Sequence, residues 1–162
     1  LNVTRRENKL TMNFPAYEPK IIDQNLDELS DIFGFRPTLF LNSNYGLAVF
    51  NNEEEIIKIE PNLNALEKLS YNGIIVTAPG KNVDFVSRFF GPKLGITEDP
   101  VTGAAHCELI PYWSKRLNKN DMIAMQLSKR GGVVYCSYLK DRVNMGGEAI
   151  TYMQGEILLD NI

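Results

Sequence analysis

Residues 103–117 read GAAHCELIPYWSKRL, and this stretch decides the fold. Its apolar side chains do not keep to one stripe but cover most of the helical circumference over the first three turns. They are Ala104, Ala105, Cys107, Leu109, Ile110, Tyr112, Trp113 and Leu117. A helix that is apolar nearly all round is a buried helix. We therefore predict that this helix runs through the middle of a curled sheet.

The residues on either side of the predicted helix supply that sheet. Short apolar or alternating runs at 9–15, 73–79, 84–90, 121–128 and 133–140 are typical of strands. Most of the strands are joined by short connections, which favours antiparallel pairing and an α+β fold over a doubly wound parallel sheet. We expect residues 1–162 to form a single lobe, a mixed and mostly antiparallel sheet wrapped around the helix at about 103–117.

Three shorter segments complete the secondary-structure prediction. Residues 25–33 and 62–70 carry apolar side chains at helical spacing, so both are predicted to be helices. Residues 53–60 are predicted to be a strand with an exposed acidic side.

The composition and charge of the chain exclude several classes of function. The chain has 162 residues, 44% hydrophobic and 23% charged, with a net charge of −3. This charge offers no basic face for nucleic acid, and no apolar run is long enough to span a membrane. Cys107 and Cys136 lack a CxxC spacing, so we expect reduced thiols in a cytoplasmic protein rather than a disulfide framework or zinc site. His106 is the single histidine, which excludes a histidine-based metal cluster.

The loop at 91–102 precedes the buried helix and is the candidate site. The first N–H groups of a helix have no intrahelical acceptor and carry partial positive charge. Thr102, Gly103 and Ala104 would therefore bind a substrate carboxylate or a developing enolate oxygen. Asp99, held extended before Pro100, would point a carboxyl at the same pocket and handle a proton. The alternative is a solvated acidic turn followed by an ordinary N-cap.

Three further residues are secondary candidates. Glu98 lies beside Asp99 in the loop. His106 falls one turn into the helix, where it would either tune Asp99 or act as a hydrogen-bonded packing residue. Arg88 would either meet a substrate carboxylate or form a salt bridge. Cys107 is not expected to be catalytic.

Several segments, in this order, resemble the phenazine-biosynthesis PhzF-like family, which has the diaminopimelate-epimerase-like fold. The segments are SRFFGP at 87–92, GITEDPVTG at 95–103, HC at 106–107, PYW at 111–113, QLSKRGG at 126–132 and DRV at 141–143, with MNFPA at 12–16 resembling the strand that opens the family's second half. The resemblance covers the chain, more loosely over residues 20–70.

The resemblance implies one lobe of a two-lobe isomerase that moves a proton on a small carboxylate-bearing substrate without a cofactor or metal. Asp99 matches the family's acidic residue of the second lobe, while Ala104 stands where the family commonly has serine. The family's principal acid/base is a glutamate of the first lobe, which this chain lacks. We expect Leu1 to be preceded by that N-terminal lobe in the protein, and the protein to form a homodimer. The alternative is a non-catalytic carboxylate-binding or structural relic of the same fold.

Overall fold

The structure is a computed structural model that describes residues 2–6 and 8–156. Over these residues the chain forms ten strands and four α-helices. The strands are β1 (Asn2–Arg6), β2 (Lys9–Pro15), β3 (Lys20–Ile21), β4 (Leu39–Asn42), β5 (Gly46–Val49), β6 (Ile74–Pro79), β7 (Phe85–Phe90), β8 (Asp121–Gln126), β9 (Gly132–Tyr138) and β10 (Arg142–Glu148). The helices are α1 (Leu26–Phe33), α2 (Glu53–Lys58), α3 (Leu63–Lys68) and α4 (Gly103–Leu117).

All ten strands belong to one sheet, in the order β1-β2-β10-β9-β8-β7-β6-β5-β4-β3. Two neighbouring pairs, β5–β6 and β7–β8, are parallel, and the other pairs are antiparallel. A parallel pair needs a crossover connection. Helices α2 and α3 connect the first pair, and α4 connects the second. The predicted α+β fold with a mixed, mostly antiparallel sheet is confirmed.

The two faces of the sheet carry separate cores. On one face, α4 packs against strands from β4 to β10, with partly buried side chains of β2 at the margin. On the other face, α1, α2 and α3 cover β4 to β7. Alternation along the strands divides the side chains, so that Phe85 and Phe89 face α4 while Val86 and Phe90 face the other helices. Most of α4 is thus buried against one face of the sheet, as its apolar circumference predicted.

Trp113 shows how closely α4 is enclosed. Its side chain is fully buried and stacks on Phe85 with ring centroids 5.5 Å apart. Its indole N–H donates to Thr77 Oγ1 at 2.9 Å, so the polar atom of this large side chain is satisfied inside the core. Truncating a buried tryptophan of this kind costs about 3–5 kcal/mol. Position and axis of α4 are therefore strongly specified by packing.

The segment 53–60 corrects the sequence prediction. It contains the helix α2, not a strand. Asn52 Oδ1 accepts from the Glu55 backbone N–H at 3.0 Å, and the Glu55 carboxylate accepts from the Asn51 N–H at 3.0 Å. This pairing is a variant of the capping box, in which the N–H of the residue before the N-cap replaces the N-cap N–H, and acidic residues in the first turn favour the helix further. The N-cap signal outweighs the β-branched residues that suggested a strand.

Across the described residues, no helix combines the length and the apolar character needed to cross a membrane. Within the same part of the chain, no three His, Cys, Asp or Glu side chains come together as a set that could hold a metal ion.

Candidate active site at the N-terminus of α4

The N-terminus of α4 is uncapped and partly accessible to solvent. Thr102 is its N-cap residue, with extended backbone (φ −106°, ψ 99°), but its side chain makes no capping hydrogen bond. Gly103 is half-buried and Ala104 is exposed, so the first turn is reachable from solvent. The free N–H groups of this turn carry the partial positive charge that favours an anion.

The Thr102 hydroxyl is directed to Asp99 instead. It donates to Asp99 Oδ2 at 2.6 Å, and the Asp99 backbone N–H donates to Phe89 O at 3.0 Å. The half-buried Asp99 carboxyl is therefore tied to the first residue before the helix and to strand β7. Thr102 thus links Asp99 to the start of the helix that carries Gly103 and Ala104, and the role of these four residues as a site stays a prediction.

Gln126, at the end of β8, holds this arrangement together and was not among the predicted site residues. It is fully buried. Its Oε1 accepts from the Thr102 N–H at 2.8 Å, and its Nε2 donates to Asp99 O at 2.7 Å and to Thr102 Oγ1 at 3.1 Å. The alternating pattern of strand β8 could have indicated that Gln126 is buried, because it lies on the same face of the strand as the buried residues Met122 and Ala124. A polar residue on a buried phase must find partners.

Arg88 and Glu98 are paired with each other. Arg88 Nε and Nη2 donate to the two Glu98 carboxylate oxygens at 2.6 and 3.1 Å, with both side chains largely buried. Arg88 Nη1 donates to the carbonyl oxygens of Ile56 and Ile59 at the end of α2, at 3.0 and 2.7 Å. The pair joins α2 to the loop that carries Asp99, and it matches the salt-bridge interpretation of Arg88.

His106 lies fully buried one turn into α4. Its Nδ1 is 2.8 Å from Thr102 O, which as a carbonyl accepts, so Nδ1 carries the proton. Burial lowers the pKa of His106, and the ring is neutral at physiological pH. Its Nε2 is then a lone-pair acceptor, and within the described structure it has no hydrogen-bond partner. The geometry matches a hydrogen-bonded packing histidine that supports the N-cap residue.

Glu108 is a second residue that the sequence analysis missed. This fully buried carboxyl of α4 reaches the turn between β4 and β5, where its Oε1 accepts from the N–H groups of Asn44 and Tyr45 at 3.0 and 3.1 Å. Its Oε2 is buried without a partner in the described residues. Burial raises the pKa of Glu108 to about 7, against the opposing effect of the two N–H donors. The carboxyl is therefore a proton-binding group close to physiological pH.

Neighbouring Cys107 lacks the features of a nucleophile. Burial, with a contribution from the Glu108 charge, raises the pKa of the Cys107 thiol to about 11. Only the thiolate is strongly nucleophilic, so this side chain stays inert at neutral pH. The structure agrees with the expectation that Cys107 is not catalytic.

Two clefts flank the first turn of α4. One, of about 690 Å³, lies on the Gly103 and His106 side, and its wall includes Arg130 and Tyr135. The other, of about 510 Å³, lies on the Ala104 and Cys107 side and is bordered by Tyr45. A ligand whose anionic end rests on the helix N-terminus would extend into one of them.

Comparison with known proteins identifies the family and the fold. The family model of phenazine biosynthesis-like proteins (PhzC-PhzF) matches residues 4–155. The chain is 43% identical over 160 residues to an uncharacterized isomerase of Pseudomonas aeruginosa and 38% identical over 162 residues to one of Halalkalibacterium halodurans. A crystal structure of a PhzF family protein from Enterococcus faecalis superimposes with a TM-score of 0.90 at 42% identity, covering 97% of this chain and 60% of that one.

These matches define an α+β protein with the PhzF fold. The chain belongs to the phenazine biosynthesis-like PhzC-PhzF family. The alignments cover 98% of this chain and 61% of each of the two curated relatives. The chain thus spans about three fifths of the length of the relatives that it matches.

Proposed function

We propose that this chain supplies one side of the active site of a PhzF-like isomerase that moves a proton on a small carboxylate-bearing substrate. The observation that carries the proposal is the network of Gln126, Thr102 and Asp99, which fixes a carboxyl beside the open N-terminus of α4. The names of the P. aeruginosa and H. halodurans relatives, both isomerases, support the same reaction class.

The substrate carboxylate rests on the N–H groups of Gly103 and Ala104. Negative charge that develops when a neighbouring C–H bond breaks is then stabilised by fixed dipoles, which need no reorganisation during the reaction. A proton leaves one carbon and joins another, so the reaction balances without a co-reactant. Asp99 hydrogen-bonds the substrate and takes part in this transfer through Oδ1, since Oδ2 is engaged by Thr102.

Glu98 and Arg88 support this site without touching the substrate. Their pairing uses both Glu98 carboxylate oxygens and two guanidinium nitrogens of Arg88. The third nitrogen is bonded to two backbone carbonyl oxygens of α2 and its C-terminal end, so little remains for a ligand. The buried pair anchors the loop on α2, and with Asp99 bonded to β7 it keeps the acid from swinging into solvent. Positioning of this kind is a large part of what an active site contributes.

The second acid/base of the reaction comes from an N-terminal lobe in this proposal. The implied family pattern places a glutamate there, and the relatives are longer than this chain. Association with that lobe and formation of a homodimer stay predictions.

Deuterium incorporation from D₂O into small carboxylic acids tests the proposal, using the complete gene product. We expect Asp99→Asn to lower the exchange rate by about 10²-fold or more, the usual effect of removing a positioned acid/base. Asp121→Asn, an exposed acid at the start of β8, is the matched control and should exchange at the wild-type rate. Equal exchange in wild type and Asp99→Asn would remove Asp99 from the mechanism.

A non-catalytic carboxylate-binding protein is the second candidate, and Ala104 favours it. Where the family commonly carries a serine hydroxyl, this chain presents only a methyl group and the backbone N–H. In that case a small carboxylate perturbs the Gly103 and Ala104 amide signals while no deuterium enters any of the acids tested. Measurable exchange would exclude this candidate.

A further inference from the structure

The cleft on the Ala104 side of α4 contains polar groups that nothing in the fold uses. Asn44 and Tyr45 of the β4–β5 turn and Asn72 before β6 border it together with Ala104. In the described part of the chain, the Tyr45 hydroxyl and the amides of Asn44 and Asn72 make no hydrogen bond, although the Asn44 and Tyr45 backbones do. Asn44 and Asn72 are exposed and Tyr45 is half-buried, so all three border the cleft within reach of a ligand. A few polar groups in a cleft next to a candidate site are typical of a ligand subsite.

Tyr45 is the best placed of these residues, because its position is fixed from two sides. Its backbone N–H donates to the buried Glu108 carboxyl at 3.1 Å. Its ring packs edge-to-face on Phe89, with centroids 5.0 Å apart. Phe89 also accepts the Asp99 N–H through its carbonyl oxygen, so Tyr45 and Asp99 are supported by the same residue of β7. A side chain held in this way is pre-organised for binding.

We infer that Tyr45 is a specificity-determining residue, whose hydroxyl hydrogen-bonds an uncharged oxygen-bearing group of the substrate on the Ala104 side, and that Glu108 is the positioning residue that holds it there. The inference rests on the proposed function, because it takes the substrate carboxylate to lie on the N-terminus of α4. It adds a second polar contact to a site that lacks the serine hydroxyl at position 104.

The local charges indicate an uncharged group. Burial raises the pKa of Tyr45, and the nearby Glu108, Cys107 and Asp99 raise it further, so the phenol stays protonated and can donate. Asp99 and Glu108 both disfavour a second anion in this cleft. Among the described residues that border the cleft, the oxygen- and nitrogen-bearing side chains are amides and phenols, and none is Lys or Arg. A hydroxyl or carbonyl oxygen is the partner that such groups satisfy without a charge.

Binding of benzoate and of its three hydroxybenzoate isomers, followed by NMR titration, tests the inference. We expect one hydroxybenzoate to bind more tightly than benzoate, with both shifting the Gly103 and Ala104 amide signals. Tyr45→Phe should reduce the ratio of the two affinities about 2- to 10-fold, the contribution of one neutral hydrogen bond, and leave benzoate affinity unchanged. Tyr135→Phe, the same change in the opposite cleft, should preserve the ratio.

Two variants of Glu108 test its positioning role. Glu108→Leu removes the acceptor for both turn N–H groups and should reduce the ratio as Tyr45→Phe does. Glu108→Gln keeps an oxygen at that place and should preserve the ratio, which a general loss of stability would not explain.

The outcomes separate the two proposals. Suppose that the acids shift the Gly103 and Ala104 signals, but that the affinity ratio is unchanged in Tyr45→Phe or is reduced in Tyr135→Phe. In either case the carboxylate site is supported and the Tyr45 inference fails. Equal affinity of wild type for benzoate and all three isomers also overturns the inference. If no acid shifts those amide signals, the proposed site and the inference both fail.

Discussion

Helices α2 and α4 both connect parallel strands, but of the two only α2 has its first turn capped by the side chain of its N-cap residue. Asn52 caps α2 through its side chain, and Glu55 returns a hydrogen bond to the chain before it. Asn25 and Asn62 cap α1 and α3 in the same manner. At α4, the Thr102 side chain does not cap the helix but donates a hydrogen bond to the Asp99 carboxylate. The N-terminus of α4 is therefore uncapped because the side chain that could have capped it is hydrogen-bonded to Asp99.

The two helices also use a glutamate differently. Glu55 accepts from an N–H immediately before its own helix, whereas Glu108 crosses to the β4–β5 turn, 63 and 64 residues away in the chain. The first contact stabilises only α2. The second couples the buried helix to a wall of the cleft beside its N-terminus. The glutamate of α2 thus makes a contact that is local in sequence, whereas the glutamate of α4 makes a long-range contact that holds a wall of the proposed site.

Gln126→Leu should produce the largest change in stability in this comparison. Leucine fills nearly the same space but leaves the buried Thr102 N–H and the Asp99 carbonyl oxygen without their partner. We expect the free energy of unfolding to fall by about 2–4 kcal/mol, measured by urea denaturation. Gln154→Leu, at an exposed position without regular structure, should change it by less than about 0.5 kcal/mol. A loss no larger than in this control would show that the network does not hold the loop.

Glu108 should make the free energy of unfolding depend on pH, because its carboxyl is buried. Its pKa is raised to about 7 in the folded chain from 4.5, so the folded state binds the proton more tightly than the unfolded state. The stabilisation is present below about pH 4.5 and is lost as pH rises through about 7. Relative to Glu108→Gln, wild type should lose up to about 3 kcal/mol of unfolding free energy across that window.

Measuring both proteins at each pH removes the contribution of His106, whose lowered pKa acts in the opposite direction. Parallel stability curves for the two proteins would contradict the assignment of a raised pKa to Glu108.

Asn52→Ala should have the smallest effect and confine it to α2. Losing an N-cap side chain costs about 1 kcal/mol. Because Asn52 serves its own helix, carboxylate binding at Gly103 and Ala104 should be unchanged in the same NMR titration. Weakened binding would mean that α2 communicates with the site through more than the Arg88–Glu98 pair.

Much of the fold was predictable because it depends on composition over many residues. The all-round apolar surface of 103–117 required burial whatever its partners were, and the packing of Trp113 shows the result. The prediction failed at 53–60, where two competing local signals were present and the capping box decided. Asp99, Thr102, Gly103 and Ala104 could be proposed as one site from the sequence because they are close together in it.

Residues whose role depends on distant partners were not found. Gln126 and Thr102 are 24 residues apart, and Glu108 and Tyr45 are 63 apart. A hydrogen bond requires two atoms within about 3 Å and in alignment, and no local pattern encodes that. The alternation of β8 marked Gln126 as buried but could not name its partners.

The sequence by itself determined a buried helix, an acidic loop at its N-terminus and membership of a family, because hydrophobic periodicity and contiguous motifs are local properties. Only the tertiary structure decided that Arg88 binds Glu98, that Gln126 locks the loop and that Glu108 holds Tyr45 beside Ala104. Those contacts exist because the curled sheet brings distant strands to one end of α4. The local sequence thus determines which chemical groups are present at the site, and the chain topology determines which of them are in contact.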